Sequence, residues 1–140
     1  MKQTRNYRFI NVHPISGALG AEIKGVNIAR PLKHEVVLEI RQALLDHLVI
    51  FFQNQELTPQ EQLAFSRQLG QPMEYPQLKG LPECPMVTEV IKQESEKLNF
   101  GGVWYSDTTY LERPPMGSML YAVKIPPCGG DTLPPLATAK

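Results

Sequence analysis

The sequence predicts a mixed α/β fold, mainly β, built as one domain over residues 1–140. Thirteen prolines and ten glycines in 140 residues demand many turns and irregular connections, which argues against a helical bundle. Two segments carry apolar residues at three- and four-residue steps, as amphipathic helices do. Short β-branched, aromatic or alternating runs occupy much of the remainder, and these read as strands. The length suits one compact domain and not comfortably two.

Residues 7–12 form an opening strand in this reading, broken by His13-Pro14. Apolar and polar residues partly alternate over 18–26, and glycines at 20 and 25 suit a short twisted strand. Pro31 then opens a helical stretch, predicted over 33–46. Val36, Val37, Ile40, Leu44 and Leu48 mark its apolar face, opposite Glu35, Glu39, Arg41, Gln42 and Asp46. The helix runs directly into Val49-Ile50-Phe51-Phe52, which reads as a buried strand. The next helix has the sharpest boundary. Thr58 is an N-cap, Pro59 sits at the first helical position, and Glu61 falls three residues after the cap, a capping box. Leu63, Phe65 and Leu69 supply its apolar surface, and Gly70 with Pro72 ends it.

Residues 71–85 are proline-rich and read as an irregular loop. Residues 86–91 are a strand candidate, and 93–102 are polar and end in glycine, as a mobile loop does. Over 118–125, Met119, Tyr121, Val123 and Ile125 alternate with Ser118, Leu120, Ala122 and Lys124, the best strand pattern in the last third. Pro126-Pro127 stops it, and Gly129-Gly130 turns the chain into Asp131-Thr132-Leu133.

Composition excludes several function classes. The apolar fraction of 42% supports a buried core, and 14 basic residues balance 14 acidic ones. A net charge of zero offers no field for nucleic acid or an anionic membrane. No apolar run is long enough to span a bilayer or to act as a signal peptide. Cys84 and Cys128 are the two cysteines, and isolated cysteines favour free thiols in a reducing cytoplasm. A small-molecule substrate is the expected partner.

The chemistry-bearing residues cluster late. The run W-Y-S-D-T-T-Y at 104–110 is followed by Pro114-Pro115, a strand, and G-G-D-T at 129–132. By spacing alone the ordinary reading is structural: Asp107 caps a turn and Thr132 starts a strand.

This ensemble resembles the metal-binding segment of the taurine dioxygenase family, where the pattern is W-H-x-D-x-x-F/Y with the same paired prolines and the same G-G-D-T turn. Upstream, I-S-G-A-L-G-A-E-I-K-G-V-N-I-A-R-P-L at 15–32 and L-V-I-F-F-Q-N-Q-x-L-T-P at 48–59 are similar to the family's amino-terminal region. The resemblance covers nearly all of residues 10–133. It implies a double-stranded β-helix, or jelly roll, with flanking helices. It also implies iron(II) and 2-oxoglutarate as cofactors, and hydroxylation of a small organic substrate with release of succinate and CO2. In such a site two histidines and one carboxylate hold one face of the iron and leave three positions for 2-oxoglutarate and dioxygen. Residues i and i+2 of an extended segment point the same way, so an H-x-D pair can meet one ion.

On that resemblance Asp107 is the carboxylate ligand and Thr132 a hydroxyl partner of 2-oxoglutarate. Tyr105 stands where the family has its first histidine. A phenol, with a pKa of about 10, must ionise before it ligates well, and a phenolate favours ferric iron. Tyr105 is either a replacement ligand or an aromatic filling the vacated place. The family's distal histidine and its arginine for the 2-oxoglutarate carboxylate have no counterpart in these residues. His13, His34 and His47 are not placed to substitute: His13 precedes a proline in a turn, and the others lie on or beside the first helix.

The tail, Pro134-Pro135-Leu136-Ala137-Thr138-Ala139-Lys140, does not continue the helix the family shows there, so a shortened dioxygenase domain is expected. Such a domain would expose strand edges and apolar faces, implying a homo-oligomer or a marginally stable monomer. Where the taurine enzymes place a substrate-binding histidine, this chain has Met73-Glu74-Tyr75-Pro76, and the loop before Trp104 reads Asn99-Phe100-Gly101-Gly102-Val103, without the asparagine that the resemblance would place beside Trp104 to meet a sulfonate. Taurine is therefore not the expected substrate. Three readings follow: an iron(II)/2-oxoglutarate dioxygenase with impaired activity, a non-catalytic remnant acting as an oligomerising or binding module, and a metal or small-ligand binder using Asp107 and Tyr105 with groups from a partner.

Overall fold

A computed structural model describes residues 6–17, 19–75, 78–93, 95 and 110–128. The element order is β1 (Asn11–Pro14), β2 (Ala21–Lys24), α1 (His34–His47), β3 (Ile50–Phe51) and α2 (Pro59–Leu69). The strands form one sheet in the order β1-β2-β3. β1 and β2 pair antiparallel, Val12 opposite Ile23. β3 lies parallel to β2, Ala21 opposite Ile50. Parallel neighbours need a crossover, and α1 supplies it.

β2 carries the pattern that seats the sheet. Ala21 and Ile23 are buried while Glu22 and Lys24 point away, the two-residue period of a strand covered on one face. Val37, Ile40 and Ala43 are the buried residues of α1, spaced at three so that they share a stripe. Ile10, Ile23, Ile28, Ile40, Ala43 and Phe65 make one core cluster. Phe52 meets Phe65 edge-on, with centroids 5.7 Å apart.

Glycine brackets β2 because the chain must turn sharply at both ends. Gly20 has φ +93 and Gly25 φ +83, values side chains resist. A Cβ on Gly25 would also lie 3.3 Å from the Asn11 amide nitrogen. Gly25→Ala is expected to cost about 1–2 kcal/mol, read as a lowered urea midpoint at constant slope.

α1 has no side-chain cap. Lys33 offers only its carbonyl, to the amides of Val36 and Val37. At its other end Leu48 adopts φ 66 while its N–H still bonds the Leu44 carbonyl. The left-handed backbone lets the helix enter β3 without a loop. α2 is capped as predicted: Thr58 Oγ1 accepts from the Glu61 amide at 3.2 Å, and Glu61 Oε2 accepts from the Thr58 amide at 2.8 Å. Those bonds from Thr58, the backbone one foremost, hold the Glu61 carboxyl below its ordinary value of 4.5. The sign follows from linkage. A depressed folded value means the contribution is present above pH 4.5 and fades as pH falls through the lowered one. Thr58→Ala is expected to cost about 1 kcal/mol of stability at neutral pH, with part of the difference from the parent closing in acid; paired urea titrations at both pH values would check it.

Several expectations are corrected. Mixed α/β holds, but helix outweighs strand among the described residues, with 14 and 11 residues in the helices against strands of 4, 4 and 2. The opening strand lies at Asn11–Pro14 and includes His13-Pro14, which sequence reading took as its break. β1 is an edge strand, so Pro14 deprives no neighbour of a ladder bond. β3 is not buried: Phe51 is exposed on the face opposite Ile50, which packs against the core cluster. Residues 86–91 form no strand. The chain instead folds back as a turn, with a bridge between Leu81 and Cys84 and the Val87 amide bonded to the Cys84 carbonyl. Residues 118–125 keep their alternation only as far as Tyr121 and join no ladder. The described residues hold a single sheet of three strands, which neither completes nor overturns the expected jelly roll.

Candidate functional site

The first turn of α2 does more than cap a helix. Leu57, just before it, donates its amide to the Tyr121 hydroxyl at 3.3 Å, and Gln62 Nε2 donates to the Met119 carbonyl at 3.4 Å. Met119 packs on the core cluster. These contacts dock residues 119–121 onto the sheet-and-helix framework. The docked stretch sits between the two halves of the chemistry-bearing pattern, W-Y-S-D-T-T-Y before it and G-G-D-T after it.

The candidate residues Tyr105, Asp107 and Thr132 themselves lie outside the described residues. Asp107 precedes Tyr110, the first described residue of this segment, by three positions, and Thr132 follows the last, Cys128, by four. Gln62 and Tyr121 are positioning contacts that sequence reading missed. Alternation did put Tyr121 on the same face as Met119, but nothing in the sequence singled out Gln62.

The histidines can be tested as substitute ligands. His34 and His47 are the first and last residues of α1. Thirteen steps of 1.5 Å place them about 20 Å apart along the axis, too far for both to reach one ion. His13 sits exposed on β1, in place of the expected turn. Among the described residues no three His, Cys, Asp or Glu side chains gather to hold a metal. The remaining donors, the Asp107 carboxylate and the Tyr105 phenol, are both oxygen groups. A ferrous dioxygenase site takes one carboxylate and two neutral imidazoles, so Asp107 matches the carboxylate donor and Tyr105 supplies a phenol.

On the substrate side, Met73 is half-buried, Glu74 and Tyr75 are exposed, and Pro76 lies outside the described residues. An open cleft of about 450 Å³ lies next to this stretch, lined by Arg67, Gly70, Gln71, Pro72 and Met86. Cys84 and Cys128 are free, the first buried and the second exposed. Among the described residues no helix is long and apolar enough to cross a membrane.

Residues 11–134 match the family described as taurine catabolism dioxygenase TauD, TfdA family. The chain belongs to this family. It is 34% identical over 125 residues to an alpha-ketoglutarate-dependent sulfate ester dioxygenase of Pseudomonas putida, covering 89% of this chain and 40% of that protein. It is 32% identical over 124 residues to an alkylsulfatase of Acinetobacter baylyi, covering 88% and 38%. A crystal structure of a taurine dioxygenase from Burkholderia xenovorans matches 56% of this chain and 28% of its own, at 38% identity and a TM-score of 0.52. The chain thus spans about two fifths of the length of the curated relatives it matches, as the amino-terminal half of the family would. The family resemblance read from 15–32, 48–59 and 104–132 falls within the matched residues.

Proposed function

We propose that this chain belongs to an iron(II)/2-oxoglutarate-dependent dioxygenase that hydroxylates a small organic substrate with release of succinate and CO2, and that its own residues leave that activity impaired. The observation that carries the reading is the Y-S-D and G-G-D-T pattern, which resembles the family's and lies within the matched residues 11–134. Asp107 is the carboxylate ligand, Thr132 the hydroxyl partner of 2-oxoglutarate, and Tyr105 the group in the first histidine's place. An organic sulfate ester is the substrate class we take, since one relative is a sulfate ester dioxygenase and another an alkylsulfatase. Taurine is disfavoured because Gly101-Gly102-Val103 directly precede Trp104 where the resemblance would place an asparagine. The free thiols support a cytoplasmic setting.

A second reading rests on a separate observation. Leu120, Val123 and Ile125 are 81%, 85% and 74% exposed, in a segment whose alternation is that of a strand. Uncovered apolar surface of this kind favours association, so a non-catalytic oligomerising or binding module built as one dioxygenase-like domain is the alternative.

Anaerobic titration with iron(II) and 2-oxoglutarate separates the two. The chain is expected to develop no visible metal-to-ligand charge-transfer band and, once oxygen is admitted, to form no succinate. Tyr105→His in a polypeptide extended to the family's full length is expected to recover both. Tightly held iron and succinate from the unaltered chain would sink the claim of impairment, and a monomer at all concentrations with a steep high-temperature melt would sink the oligomer.

A further inference from the structure

We draw no further inference here: the strongest candidate, the open cleft at the carboxyl end of α2 lined by Arg67, Gly70, Gln71, Pro72 and Met86, carries nothing because no buried polar side chain lines it and its Arg67 is accounted for by the helix carbonyl end, where a cation is ordinarily favoured.

Discussion

Phe65→Ala is expected to destabilise the protein by about 3–5 kcal/mol, the largest effect of any single substitution considered. Phe65 is 1% exposed and is among the largest fully buried side chains. It projects from the inner face of α2 into the cluster formed by Ile10, Ile23, Ile28, Ile40 and Ala43, with Phe52 against its edge. Truncation removes both the transfer free energy of the ring and the contacts that line it, because a close-packed interior relaxes only in part. Small domains hold only about 5–15 kcal/mol in total, so this variant should unfold at low urea or lose its cooperative transition. Phe65→Leu keeps most of the volume and should cost much less, about 1.5 kcal/mol or under. Urea unfolding followed by near-ultraviolet circular dichroism checks both. An alanine variant within 1 kcal/mol of the parent would mean that α2 does not seat on the sheet through this ring.

Glu39→Ala is expected to cost about 2–3 kcal/mol, from polar contacts alone. The Glu39 carboxylate on α1 accepts three consecutive backbone amides: Arg8 at 2.7 Å, Phe9 at 2.8 Å and Ile10 at 3.2 Å. About two turns further along α1, Asp46 accepts from the Tyr7 hydroxyl at 2.8 Å and from Gln42 at 2.9 Å. The two acids strap residues 7–10 across α1 and bring Ile10 into the core. Without Glu39, three amides lose their partner in a segment with no strand pairing of its own. Partial exposure of Arg8 and Phe9 limits the loss, since water can take over there. Glu39→Gln retains one acceptor oxygen and should fall between. Hydrogen exchange at amides 8–10 gives the specific readout: unchanged protection in the alanine variant would show that the strap is held by packing and not by this carboxylate.

Local signals in the sequence located both helices and the strand between them to within a residue or two. The capping box at Thr58 and Glu61 works through contacts three residues apart, and such contacts are complete in the local chain. The glycines at 20 and 25 were legible for the same reason, since a positive φ is a property of one residue. The strap was not legible. Glu39 reads as a solvated position on the polar face of α1, and only the return of the chain thirty residues away shows what it binds. Residues 86–91 and 118–125 failed in the opposite direction. Both have the composition of strands, but a strand exists only where a neighbour supplies the ladder.

The same division holds for the chemistry. The order of residues at 104–110 and 129–132, with the upstream runs at 15–32 and 48–59, was enough to name the family, because such a motif is a matter of side-chain type and spacing. Tertiary structure decided what no spacing could: His34 and His47 stand at opposite ends of one helix, and Leu57 just before α2 and Gln62 in its first turn hold Tyr121 and Met119 in place. Donor chemistry is written residue by residue, whereas convergence on one ion depends on distances set by the packing of elements far apart in the chain.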